Sequence, residues 1–429
     1  MLVRRTADIC VVVLVLAMLV LPTAVGSPRI QQKVVKIGAI YPLTGSLAST
    51  GRDFKNALIL AQELVNEEYN LDLPMCRTKG IPLLGAQLEI VLADSQGSPN
   101  VGQAEAERLI TQQKVAALVG CYQSAVTKTA SQVAERYQVP FFNVATCGAY
   151  LHLRGLKWFF RCFGNDIIYS DNMFTFFSEL RDKLRTEGKN LKTVMVVHEN
   201  TEWGSSAAEA VTEAAKNYGF DVVERLPYSA TQTDLTAEVA RVKAKDPDII
   251  QCDSYTSDSI LMMTTFKKLN YTPKAIINHD AGFVDPAFVQ TLGRDSNYAL
   301  VRSVFVPDVA LKKPLARQIN ELFKQKFGYE LNDNAASAIN GVLVLVDAIN
   351  RAGSTDRENL RKAILETDIG ADQTFMPWQG VKFDPATGQN TRASALMCQI
   401  VDGHYYIVWP KEYATREVVY PAPKWDERR

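Results

Sequence analysis

The sequence predicts an α/β protein of two doubly wound, Rossmann-like lobes, and three observations carry that expectation. Strand-like apolar runs alternate with amphipathic helical stretches along most of the chain. The runs are continuously apolar, as at 34–40 and 115–119, which implies parallel sheets covered on both faces. The alternation also occurs twice, in two series that are each the size of a small domain. The length of 429 residues agrees, because a single core stops growing near ~250–300 residues. Hydrophobic residues at 47% and charged residues at 22% exclude a disordered or fibrous chain. With 47 Lys+Arg against 47 Asp+Glu, nothing would neutralise a phosphate backbone, which argues against nucleic acid.

Residues 1–26 read as an export signal. Arg4 and Arg5 precede an unbroken apolar run of 13 residues, Pro22 ends it, and residues 24–26 are small. The run is shorter than the ~20 residues a bilayer core needs. Cleavage near Gly26 and a periplasmic location are therefore expected, with an uncleaved anchor as the alternative. Six cysteines follow the signal: Cys76, Cys121, Cys147, Cys162, Cys252 and Cys398. Export permits disulfides, and Cys121, Cys147 and Cys162 fall at or near predicted strand ends. A bond between two of them and buried free thiols both remain open.

In the first series, strands are expected at 34–40, 88–93, 115–119, 139–144 and 158–163, with helices at 53–68, 101–112 and 125–136. Residues 71–84, with Pro74, Gly80 and Pro82, read as a surface insertion. The second series has helices at 173–185, 207–217, 235–244 and 260–269. Its strands fall at 193–197, 221–226, 249–252 and 275–278. A strand at 299–304 and helices at 315–327, 335–351 and 357–366 precede a strand-rich end at 380–410.

Signatures of catalysis are missing. The sequence contains no G-x-S-x-G, H-E-x-x-H, P-loop or G-x-G-x-x-G motif. His152, His198, His279 and His404 are not at metal-ligand spacing, so neither a metal nor a cofactor is expected. His198 and His279 end strands, which keeps an exported hydrolase with a histidine base as a minor alternative.

The stretch from Lys36 to Gly45 (KIGAIYPLTG), then Gly51 and a helix, resembles the start of the periplasmic amino-acid-binding proteins of ABC importers, the leucine/isoleucine/valine-binding type. The resemblance continues in order through 114–120, 125–140, 193–197, Trp203-Gly204, 246–250, 335–348 and the tail around Trp409-Pro410 and 420–425. It implies the type I periplasmic-binding-protein fold, with two lobes joined by three hinge crossovers. The first lobe would be 34–160 plus 283–375, and the second 161–282 plus 376–429. The resemblance also implies a monomeric receptor that is not an enzyme. Its partners would be a small-molecule ligand and a membrane permease. The ligand expected is an amino acid with an apolar side chain. A short amide, a urea or an aromatic carboxylate is the alternative cargo, and a sensor subunit the alternative role.

In open α/β sheets, the loops at the carboxyl ends of strands form the ligand crevice. The loop after the first strand is one of these, and the resemblance implies that Tyr41 and Leu47 are wall residues there. After the third strand come Tyr122 and Ser124, and Ser124 also suits a helix N-cap. After the fourth come Ala145, Thr146 and Cys147. The resemblance assigns Ser124 and Thr146 to a ligand carboxylate, while Cys147 departs from the usual hydroxyl residue. From the second lobe, the resemblance implies that Tyr255 contacts the ligand; Trp203 would either stack on it or pack under the following helix, and Tyr150 from the first lobe would add to the wall. Asp280, shorter than the usual glutamate, would pair with an ammonium, with Asp253 as substitute.

Overall fold

The computed structural model describes residues 33–428. The expected export signal over residues 1–26 lies outside them. Five strands form the first sheet: β1 (Lys33–Tyr41), β2 (Ala86–Asp94), β3 (Ala117–Gly120), β4 (Phe141–Asn143) and β5 (Phe159–Arg161). Their order is β2-β1-β3-β4-β5, and every neighbouring pair is parallel. The second sheet contains β6 (Thr193–Glu199), β7 (Asp221–Tyr228), β8 (Ile249–Asp253), β9 (Ile276–Asn278) and β10 (Leu300–Ser303). After a small antiparallel pair, β11 (Asp368–Gly370) and β12 (Gly380–Lys382), the chain adds β13 (Leu396–Val401) and β14 (His404–Trp409) to it. The resulting order is β14-β13-β10-β9-β8-β6-β7, with β13 and β14 antiparallel at one edge. Both central sheets are parallel and covered, as their continuous apolar strands require.

Helices cover these sheets through apolar stripes. The helix Ala48–Asn66 buries Phe54, Ala57, Leu58, Ala61, Leu64 and Val65, the spacing read from the sequence. It packs against the helix Asp333–Ala352, which is buried almost all round and is apolar for that reason. Several helices begin earlier than their apolar repeats suggest, because polar caps start them. Asn165 accepts from the Ile168 N–H at 2.9 Å and opens Asp166–Thr186, seven residues ahead of the expected start at 173. Two short helices, Ala281–Val284 and Pro286–Leu292, are too brief to show periodicity.

Three expectations change. Residues 71–84 are more firmly anchored than a surface insertion, since Leu71, Leu73 and Cys76 are buried in the core while Asp72, Arg77, Lys79 and Leu83 stay exposed. The boundary expected at 283 moves, because β10 hydrogen-bonds between β9 and β13 in the second sheet. The boundary expected at 376 moves likewise. Residue Phe383 beyond it packs its ring against Phe142 and Phe160 of the first lobe, at 5.7 and 6.1 Å. The chain therefore crosses between the sheets after β5, after β10 and before β13. Among the described residues the six cysteines are buried free thiols, which behave as small apolar side chains.

Candidate functional site

The carboxyl ends of β1, β3 and β4 face those of β6, β8 and β9, and the expected site residues lie on the loops between. Tyr41 ends β1 fully buried, its ring stacked on Phe54 at 4.2 Å. Leu47 is buried in the turn that precedes the helix Ala48–Asn66. Tyr122 follows β3, with its ring 5.7 Å from Phe54 and 6.2 Å from Tyr255 on the opposite lobe. Tyr255 in turn lies 4.9 Å from Trp203. Burial raises the hydroxyl pKa of both Tyr122 and Tyr255, so both stay neutral donors. These rings make a continuous aromatic contact from one sheet to the other.

Ser124 is the first residue of the helix Ser124–Tyr137, and Gln123 holds the N-cap position expected for it. Ser124 is buried beside Gly148, where an added methyl carbon would come within 2.8 Å of its Oγ. After β4, the Asn143 side chain accepts from the N–H groups of Ala145 (3.1 Å) and Thr146 (2.8 Å), which fixes that loop. Thr146 differs from expectation. Its hydroxyl donates to the Cys121 carbonyl and lies 2.8 Å from Thr127 Oγ1, inside the first lobe. A hydroxyl so engaged braces two loops of the first lobe. Cys147 faces the second lobe, with Sγ 3.7 Å from Asp280 Oδ2. Burial raises its thiol pKa far above the ordinary value, followed by the nearby Asp166 and Asp280.

Asp280 is not a solitary carboxylate. Arg302, a fully buried residue of β10, places Nη2 2.5 Å from Asp280 Oδ2. The same guanidinium donates from Nε to the His279 carbonyl at 2.6 Å and lies 4.0 Å from the centre of the Tyr169 ring. Burial, the largest single effect, opposes the arginine's charge, but Asp280 together with Tyr169, Asp333 and Cys147 outweighs it. Its Nη1 is buried without a hydrogen-bond partner among the described residues. Arg302 escaped the sequence reading, yet a signal was present. It stands alone in an apolar strand, and a buried cation needs a partner.

Asp253, the substitute anchor, ends β8 fully buried, with Oδ2 lacking a hydrogen-bond partner among the described residues. It lies 3.8 Å from His279 Nδ1, while Asp166 lies 3.5 Å from His279 Nε2, and all three side chains are fully buried. Burial pushes the Asp253 carboxyl up to about 7, against the opposing pull of His279. His198, the other candidate base, has Nδ1 3.0 Å from the Glu199 carbonyl.

Polar contacts close both ends of the cleft. Glu202 of the second lobe pairs with Lys128 (2.6 Å) and accepts from the Tyr150 hydroxyl (2.9 Å) of the first. At the other end, Asp285 Oδ2 accepts from Ser49, Thr50 and Thr256, each at 3.1 Å. Sequence reading missed Lys128, Glu202 and Asp285, which look like ordinary helix-face charges until the lobes meet.

The family model described as periplasmic binding protein matches residues 34–403. The Leu/Ile/Val-binding protein homolog 7 of Brucella abortus (strain 2308) is 27% identical over 393 residues, covering 90% of this chain and 94% of that protein. Among solved structures, the branched-chain amino acid transporter substrate binding protein LivJ of Streptococcus pneumoniae, in complex with isoleucine, superposes with a TM-score of 0.73. It is 22% identical, over 88% of this chain and 100% of that one. A solute binding protein of an ABC transporter from Rhodopseudomonas palustris BisB5, in complex with 3,4-dihydroxy benzoic acid, gives a TM-score of 0.72. It is 18% identical, over 90% of this chain and 98% of that one.

Proposed function

The chain belongs to the periplasmic binding protein family, and on that premise we propose that it is an extracytoplasmic receptor of an ABC importer. In this reading the exported protein, a monomer, captures an amino acid with an apolar side chain between its lobes. It then delivers the solute unaltered to a membrane permease. One observation carries the reading: side chains from facing strand ends of two separate sheets meet, Tyr122 against Tyr255 and Cys147 against Asp280. Such a seam, aromatic in the middle and polar at its rims, suits a small solute with an apolar body and a charged head. Ser124 and the loop Ala145–Cys147 would meet its carboxylate, with Asp280 toward its amine. Tyr41 and Leu47 would act from behind, by supporting Phe54 and the first loop.

The Arg302–Asp280 ion pair favours a second reading. A carboxylate that already holds a guanidinium attracts an ammonium less, and suits a cargo without one, such as an aromatic carboxylate. A relative bound to 3,4-dihydroxy benzoic acid supports that class.

A thermal-shift panel separates the two. At 100-fold excess over Kd, a bound solute adds about 2.7 kcal/mol of stability. Apolar amino acids should raise the melting temperature, and Asp280→Ala should reduce that shift far more than any shift from a carboxylate lacking an amine. A shift from amine-free carboxylates alone would sink the amino-acid reading. No shift from either class would sink both.

A further inference from the structure

A cavity with a volume of about 540 Å³ lies between the helix Ala48–Asn66, the chain after β10 and the turn into β14. None of the expected cleft residues lines it. One wall comes from the helix Ala48–Asn66 and Tyr329 of the first lobe, another from Val284 and Val289 of the second. Phe305 and Val306, on the crossover that follows β10, form its floor. We propose that this cavity is a second solute site, distinct from the cleft, which takes a small apolar monoanion such as an aromatic or branched carboxylate or sulfonate.

Size and chemistry support the assignment. Small-molecule sites occupy about 300–1,000 Å³ and combine an apolar lining with a few directed polar groups. Here the floor is aliphatic and aromatic, and Arg52 stands exposed at the rim, 5.9 Å from the centre of the Tyr329 ring. Arg52 forms no ion pair among the described residues, whereas the acids of the lining are engaged. Glu330 pairs with Lys324 and accepts from Asn320. Asp333 accepts from Ser303 Oγ (2.7 Å) and the Val304 N–H (2.6 Å). At the rim the unpaired charge is therefore positive, which selects an anionic head there, while the deeper Asp333 carboxylate is held by neutral donors.

The position of the cavity gives its occupant a consequence. Its walls belong to both lobes and to a crossover, so hinge motion reshapes it. An occupant that contacts all three walls stabilises the hinge angle at which they meet. Asp333 links it to the cleft floor: its carboxyl is pushed up to about 6 by burial first and by Asp280 second, while Arg302 opposes.

The probe for the test is 8-anilinonaphthalene-1-sulfonate, titrated by fluorescence into the full chain. Wild-type protein should bind it saturably at one site. Val289→Trp, which fills the cavity, should abolish that binding, and Arg52→Gln, an exposed change, should weaken it about tenfold. Tyr122→Ala, in the cleft, should leave it unchanged. Circular dichroism and melting check that each variant folds. Retention of binding by Val289→Trp, its loss in Tyr122→Ala, or indifference to Arg52→Gln would each overturn the site. Loss of binding in Tyr122→Ala would place the probe in the cleft instead, whereas the other two outcomes bear only on this cavity.

Discussion

Arg302 and Asp280 set the electrostatics of the cleft floor. The guanidinium is fully buried and spends one nitrogen on the carboxylate and one on the His279 carbonyl. Removing one partner of a buried pair leaves an uncompensated charge, at a cost of about 3–5 kcal/mol. Arg302→Met should therefore destabilise the protein by about 3 kcal/mol in urea unfolding. The double change Arg302→Met/Asp280→Leu should recover much of that loss. If the single change proves neutral, the pair is not the buried element described here. Asp253 gives a pH prediction. Its carboxyl is pushed from 3.8 up to about 7, so between those values the folded protein holds a proton the unfolded chain has released. The stability this residue contributes is complete at low pH and falls as pH rises through that window. Asp253→Asn cannot ionise, so its stability relative to wild type should rise between about pH 4 and 7 and then level off. A tenfold change in proton affinity is worth about 1.4 kcal/mol, and the gain should be at least that large. A constant difference across pH would contradict the assignment. At this scale the sequence was only half legible. Cys147, Tyr255 and Asp280 could be placed by their positions after strands, but the partner of Asp280 lies 22 residues onward in another strand.

At the scale of elements, the loops leaving the strands matter more than the strands. Strand positions were readable, because a buried parallel strand is an apolar run of a few residues. The loop conformations were not, because they depend on side chains such as Asn143 and Thr146 turning inward to hold backbone groups. The same holds for Gly204 in the helix Glu202–Asn217. A methyl carbon there would sit 2.2 Å from the Glu199 carbonyl oxygen and 2.7 Å from its carboxylate, both at the end of β6. Backbone cannot yield as a flexible side chain does. Gly204→Ala should cost about 1–3 kcal/mol in urea unfolding and displace Trp203 from Tyr255, visible as altered indole fluorescence. Wild-type stability and emission would contradict this packing.

Across the whole molecule, two lobes and three crossovers form a hinge, and the rim contacts hold it shut. Glu202 binds Lys128 and Tyr150 across the gap. Exposed pairs of this kind are worth about 0.2–1 kcal/mol each. Glu202→Ala should therefore open the free protein modestly, raising its radius of gyration in small-angle scattering and weakening solute binding a few-fold. Unchanged scattering and affinity would mean that the rim contributes nothing to closure. Two lobes could be inferred from the repeated strand–helix series, whereas the points where the chain changes lobe could not. The boundary expected at 283 moved because β10 pairs with β9 and β13, a long-range choice that no local pattern records.

The central claim, capture of a solute between the lobes, is tested most directly at Cys147. Its thiol is 3% exposed with the lobes together and faces Asp280 across the gap. Maleimide labelling, mapped residue by residue by mass spectrometry, should modify Cys147 in the solute-free protein as the lobes open. Saturating solute should suppress that modification and leave the slow labelling of Cys76 and Cys398 unchanged. A solute that binds tightly yet leaves the labelling rate of Cys147 unaltered would show that it does not sit between the lobes.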